Sequence, residues 1–112
     1  MHILKNQAAQ GDMLITKITD LPDDLIPAKS ENGVFVCAHS ETGHNHVVEA
    51  DGVKAFNAAN DPFVMYLVVD NTAKLEHLRS FDTHSPISIP PGVYRINRQR
   101  EYTPEGFRRA AD

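Results

Sequence analysis

Cysteine occurs once in the 112 residues, at Cys37, and tryptophan does not occur. A single cysteine excludes an internal disulfide framework and is typical of a protein kept in a reducing cytosol. The stability of the fold must therefore come from a hydrophobic core, a bound metal or oligomerisation. Apolar residues make up 41% of the chain, which is enough for one compact core. A chain of this length predicts one domain over residues 1–112.

Basic residues are fewer than acidic ones, 11 against 15, and the formal net charge is −4. Such a balance provides no general attraction to nucleic acid or to an anionic membrane, and we expect neither as a partner. No apolar run approaches the length of a membrane span, and the N-terminus shows no signal-peptide pattern, so a cytoplasmic protein is expected. Arginines near the C-terminus alternate with acidic residues and indicate a solvated face or a partner contact. These are Arg95, Arg98, Arg100, Arg108 and Arg109.

Short apolar and β-branched runs, separated by turn residues at intervals of about ten, predict seven or eight strands. The runs cover residues 13–18, 34–39, 44–50, 53–56, 63–69, 73–79, 87–89 and 93–98. Residues 73–79 also fit a helical turn, but their place between strand signals favours a strand. This pattern predicts an all-β fold, a small β-barrel or sandwich, whose first strand begins at residue 13.

Turn residues predict how the runs are connected. Asp51-Gly52 predicts a β-hairpin that joins residues 44–50 to 53–56. Two prolines within residues 21–27 favour a loop or one short turn there. Thr103-Pro104-Glu105 has the pattern of a helix N-terminus and predicts a short C-terminal helix.

His44 and His46 carry the sharpest chemical signal. Residues two apart on a strand project from the same face, so this pair can hold one metal ion together. His77 and His84, later in the chain, can complete a set of three or four ligands. Zn²⁺ is the first choice, with another divalent transition metal as the alternative. Three histidines leave an open position for a water of lowered pKa, whereas four close the shell and indicate a structural site.

Other side chains compete for roles in or beside this site. Cys37 and His39 share a strand face and form a second pair of candidate zinc ligands, although a buried core thiol is the commoner role for such a cysteine. His39 and Glu76 are the candidate proton shuttles of a catalytic site. Glu49 follows His46 by three residues, and regular pleating sends it to the opposite face. Six histidines are also compatible with ordinary surface or hydrogen-bonded side chains.

The chain resembles two known groups. His44-Asn45-His46, with Glu49 and the later Pro90-Pro91-Gly92, is similar to the cupin pattern, in which an H-x-H and a Glu precede a P-x-G turn and another His. Here Tyr94-Arg95 follows the turn, so the resemblance implies that the last ligand is His77 or His84.

The second resemblance extends over most of the chain. Residues 42–46, 89–94 and 98–102 resemble segments of small uncharacterised proteins encoded by phages and prophages. It implies a bacterial or phage-infected cytoplasm and brings no activity with it.

These observations lead to three functional hypotheses. The first is a zinc protein that hydrates or hydrolyses a small substrate with carbonic-anhydrase-like chemistry. The second is a non-enzymatic phage or prophage accessory protein, with a structural metal or none, that contacts a partner. The third has no metal, and its histidines tune a pH-sensitive oligomer interface. Exposed edge strands are compatible with a homo-oligomer in all three.

Overall fold

The computed structural model describes residues 2–10, 13–38, 45–77 and 86–98. These residues form eleven strands and, within the described ranges, no helix. The strands are β1 His2–Ile3, β2 Gln7–Gln10, β3 Met13–Ile18, β4 Leu25–Pro27, β5 Val34–Ala38, β6 His46–Glu49, β7 Val53–Ala58, β8 Val64–Val69, β9 Ala73–His77, β10 Ile87–Ile89 and β11 Gly92–Arg98. The predicted all-β class is confirmed.

The strands form two sheets. The five-stranded sheet has the order β1-β10-β9-β6-β5, and the six-stranded sheet has the order β2-β3-β11-β8-β7-β4. Neighbouring strands run antiparallel except for β1 and β10, which pair in parallel. The chain changes sheet repeatedly, so strands that follow each other in sequence often lie in different sheets.

Alternation along the strands builds one core. In β11, Tyr94 and Ile96 are fully buried, whereas Arg95 between them is exposed. In β8, Met65 and Leu67 belong to the same core. Burying a large aliphatic side chain contributes about 1.5–3 kcal/mol, so these positions are a major source of the stability of the fold.

The predicted hairpin at Asp51-Gly52 is wrong. A tight turn does form there, since the Val53 N–H donates to the Ala50 carbonyl at 3.1 Å and Gly52 adopts a φ of +75°. However, β6 pairs with β5 on one side and β9 on the other. Both edges of β6 are therefore occupied, and the turn carries the chain across to β7 in the other sheet.

Two further regions differ from the predictions. Residues 2–10 already belong to the domain, since β1 and β2 join the two sheets and Leu4 is buried in the core. Residues 25–27 form β4, a short strand paired with β7, where a loop was expected. Proline is tolerated here because β4 is an edge strand, on which a missing N–H costs no internal hydrogen bond.

The remaining strand predictions match the described residues well. Residues 73–77 form strand β9, as predicted, and β10 and β11 flank the Pro90-Pro91 turn. The Tyr94 hydroxyl donates to the Pro90 carbonyl at 2.6 Å and holds that turn against the core. The C-terminal helix predicted from Thr103 lies outside the described residues. In the described part of the chain, no helix is long and apolar enough to cross a membrane.

Candidate functional site

Several strands of both sheets begin or end at the same end of the sandwich. In the six-stranded sheet, Gln10 pairs with Met13, and Met13 pairs with Arg98. In the five-stranded sheet, Ala38 pairs with His46, and His46 pairs with His77. A hydrogen bond between Gln10 and His46 joins the two groups. We call this region, defined by these six residues, the histidine end.

His46 is the first residue of β6 and is buried, with 5% of its surface exposed. Val48, two residues further, belongs to the core, so His46 lies on the inner face of its sheet. Glu49 is exposed, which agrees with the prediction that it leaves the face of His46. A polar ring on the inner face of a sheet requires hydrogen-bonding partners, because burying it without them would cost free energy.

Gln10 supplies one such partner from the opposite sheet. Its Oε1 lies 2.8 Å from Nδ1 of His46, and its Nε2 donates to the Leu75 carbonyl at 3.2 Å. Gln10 itself is 2% exposed. One buried amide therefore contacts β6 and the backbone of β9 together.

These contacts determine the tautomer of the His46 ring. The Leu75 carbonyl can only accept, so the amide nitrogen of Gln10 faces it and Oε1 faces His46. Because Oε1 also only accepts, Nδ1 of His46 carries the hydrogen. In the neutral ring, the lone pair is then on Nε2. A metal-bound histidine has this arrangement when Nε2 is the ligand and Nδ1–H donates to an oxygen.

His77 occupies the ladder position directly opposite His46. The pair two positions further along the two strands, Val48 and Leu75, is fully buried in the core. Because the side-chain period of a strand is two, the positions of His46 and His77 lie on the same inner face. Residues opposite each other in an antiparallel ladder have Cβ atoms about 4.5–5.5 Å apart.

The other candidate ligands lie outside the described residues. His39 and His44 fall in segment 39–44, between β5 and β6, and His84 falls in segment 78–85, between β9 and β10. Both segments are attached to strand ends at the histidine end. Among the residues that the structure describes, no three His, Cys, Asp or Glu side chains form a metal-binding group.

Two predicted participants are poorly suited to the roles predicted for them. Glu76 pairs with Val47 and follows the core residue Leu75, so it lies on the outer face of the sheet. Cys37 is fully buried in the core, and this burial raises the pKa of its thiol to about 12, with the positive charge of Arg98 opposing the shift. Such a thiol is protonated at neutral pH and suits a core role better than that of a zinc ligand, which would be a thiolate.

Arg98 takes a different role from the one expected of the arginine-rich region. It continues the inner face of Tyr94 and Ile96, and its Nε atom is buried. Its Nη2 donates to Oδ1 of Asn57 at 3.5 Å, a long hydrogen bond. Arg95, on the opposite face of the same strand, is exposed as predicted.

A cavity of about 290 Å³ lies beside Arg98. Its polar lining consists of Lys29, Glu31, Asn57 and Arg98, and its apolar lining includes Phe35 and Met65. Sequence reasoning missed this site. The alternation Tyr94, Ile96, Arg98 was the available signal that Arg98 points inward.

A family model described as a domain of unknown function, DUF8820, matches residues 9–99. The match runs from β2 through β11 and includes Gln10, His46, His77 and Arg98. No curated protein and no solved structure matches the chain.

Proposed function

The chain belongs to the DUF8820 family, whose description assigns no activity, and we propose that this protein binds a divalent transition metal, zinc in the first instance, at the histidine end. The observation that carries the proposal is the hydrogen bond between Nδ1 of His46 and Oε1 of Gln10. It holds the ring in the tautomer whose Nε2 atom can bind a metal. Oxygen acceptors of this kind orient most metal-bound histidines in proteins.

The register supports a second ligand. His77 pairs directly with His46, and both positions continue the inner face of Val48 and Leu75. Two histidines on adjacent strands of a hydrogen-bonded sheet are held at a fixed separation by the backbone. A rigid pair of ligands of this kind costs less conformational entropy to assemble around an ion than ligands on independent loops.

His44 and His84 are the proposed third and fourth ligands. They belong to segments attached to the histidine end, so short stretches of chain separate them from His46 and His77. A site with three of these histidines provides an open position, and a metal there supplies a water of lowered pKa for hydration or hydrolysis of a small substrate. Four histidines produce a closed structural site, as in the accessory-protein alternative.

The chain's own residues limit how such a site moves protons. Glu76 lies on the outer face of the sheet, away from His46, and is a poor choice of shuttle. His39 stays a candidate for that role, in the segment that follows β5. The inner-face position of His46 also shields its ring from bulk water, which strengthens its interaction with a cation.

Elemental analysis of the untagged protein tests the proposal. We expect about one zinc per chain in the wild type, and loss of that zinc in His46→Ala and in His77→Ala. His2→Ala is the matched control, since it removes a histidine outside the proposed set and should retain the metal. Variants are compared only after circular dichroism shows the same strand content.

Two outcomes would contradict the proposal. Folded wild-type protein without stoichiometric metal, after growth in zinc-supplemented medium, would leave His46 and Gln10 as a hydrogen-bonded link between the sheets. Metal retained in His46→Ala at the wild-type stoichiometry would move the site elsewhere in the chain. The zinc content of separate His44→Ala and His84→Ala variants then shows how many histidines bind the metal and distinguishes an open site from a closed one.

A further inference from the structure

We infer that the cavity beside Arg98 is a binding site for a small organic carboxylate, separate from the proposed metal site. Arg98 reaches it from the inner face of β11, and Asn57 reaches it from β7. The volume of about 290 Å³ is at the lower end of the range for small-molecule pockets. A ligand smaller than a typical drug molecule is therefore the appropriate size.

The charge of the lining selects an anion. Lys29 and Arg98 are cationic and Glu31 is anionic, which leaves one net positive charge around the cavity. Lys29 and Glu31 are exposed, so water screens both charges, whereas Arg98 is half-buried and acts through a lower dielectric. A monoanion neutralises this one net positive charge, whereas a dianion would leave a negative charge beside Glu31 without a counter-charge, so a carboxylate is favoured over a phosphate.

The geometry of Arg98 suits this class of ligand. A guanidinium has five N–H donors in a planar fork that matches the two oxygens of a carboxylate. The hydrogen bond from Nη2 to Asn57 orients the plane and is compatible with recognition of a carboxylate by the same group. The surface that faces the cavity is mainly polar, because Phe35 and Met65 are themselves buried, which favours a small carboxylate with a polar body.

Titrations followed by ¹H–¹⁵N NMR test the inference, with acetate, benzoate, benzamide and inorganic phosphate as probes. We expect saturable shifts of the Phe35, Asn57 and Met65 amides with acetate and with benzoate, because the carboxylate that both probes carry is the group that Arg98 binds. Benzamide has the shape of benzoate without its charge and should bind at least about tenfold more weakly. The location of the shifts distinguishes this cavity from binding at His46.

Variants identify the side chain that binds the carboxylate. Arg98→Gln should weaken benzoate binding by at least about tenfold, whereas Arg95→Gln, on the exposed face of the same strand, should leave it unchanged. Asn57→Asp places a carboxylate of nearly the same shape beside Arg98 and should also weaken binding, which provides a second test if Arg98→Gln does not fold.

Four results would overturn the inference: no saturable binding of acetate or benzoate, equal affinity for benzoate and benzamide, phosphate binding in place of benzoate, or unchanged benzoate affinity in the folded Arg98 and Asn57 variants. None of these results depends on whether His46 binds a metal, so the two proposals can fail separately.

Discussion

Gln10 and His46 belong to different sheets, and a buried hydrogen bond of 2.8 Å joins their side chains. The same amide donates to the backbone of β9 at Leu75, two residues before His77. The six-stranded sheet therefore orients a histidine of the five-stranded sheet. Whatever binds at the histidine end depends on the packing of the two sheets against each other.

Replacing Gln10 should affect both stability and metal binding. Gln10→Ala removes the hydrogen bonds to His46 and Leu75 from a buried environment, at a cost of about 1–3 kcal/mol in the free energy of unfolding. Zinc affinity should fall by about 10–100-fold, because the ring of His46 loses its orienting acceptor. Urea denaturation and competition with a zinc indicator measure the two effects.

Gln7 provides the matched control, because it lies on the same strand but is exposed and donates to the Thr16 hydroxyl at 3.2 Å. Gln7→Ala should change stability by less than about 0.5 kcal/mol. Equal effects of the two substitutions would argue against a special role for Gln10.

Added zinc should stabilise the folded protein. A ligand that binds only the native state contributes about 2.7 kcal/mol when its free concentration is 100 times its dissociation constant. The unfolding temperature of the wild type should therefore rise when zinc is added and fall back when a chelator removes the zinc. The same additions should leave the unfolding temperature of His46→Ala nearly unchanged, and an equal zinc-dependent shift in that variant would count against His46 as a ligand.

The thiol of Cys37 should make stability fall at high pH. Burial raises its pKa from 9.0 to about 12, so above pH 9 the unfolded chain loses this proton while the folded chain keeps it. The unfolded state then binds fewer protons, and stability decreases with pH between about 9 and 12, by up to about 1.4 kcal/mol per pH unit. Below pH 9 this contribution is fully present.

Denaturation at pH 8 and pH 10 measures this effect, with Cys37→Ala as the comparison. The variant loses core packing at both pH values but should show a smaller loss between them. Burial also raises the pKa of Tyr94, which both proteins contain, so its contribution cancels in the comparison. An identical pH dependence for wild type and variant would contradict the assignment to Cys37.

The turn between β6 and β7 should tolerate substitution poorly. Gly52 has a φ of +75°, and an added Cβ would lie 3.0 Å from Nδ2 of Asn71. Gly33 has a similar φ of +82°, but an added Cβ there meets nothing within 4 Å. Both alanine variants should lose about 1–2 kcal/mol to backbone strain. Gly52→Ala should lose more in urea denaturation, and a smaller loss than in Gly33→Ala would contradict this reading of the contact.

The strands themselves could be predicted, because burial on one face of a sheet leaves an alternating pattern in the sequence. Tyr94 and Ile96 alternate with Arg95 in this way. The pairing of strands was harder to predict. Asp51-Gly52 is a local hairpin signal, but the availability of a β6 edge depends on β5 and β9, which no local pattern reports.

At the histidine end, too, local patterns could be predicted and contacts between distant parts of the chain could not. His46 was identifiable from its spacing to His44, whereas Gln10 carried no signal, because its partner is 36 residues away in the chain. The inward orientation of Arg98 could be predicted from the alternation along its strand, but its basic neighbours favoured a solvated face. The roles of His44 and His84 as metal ligands stay predictions, since both residues lie outside the described residues.

The position of β11 has a consequence for biosynthesis. This strand lies between β3 and β8 in the middle of the six-stranded sheet, although it follows both in sequence. On the ribosome, β3 and β8 cannot be joined until residue 98 has emerged from the exit tunnel. Folding of this sheet should therefore wait for β11 and be slow, as expected when contacts are distant in sequence. A nascent chain halted before β11 would expose the unpaired edges of β3 and β8 and be a target for chaperones.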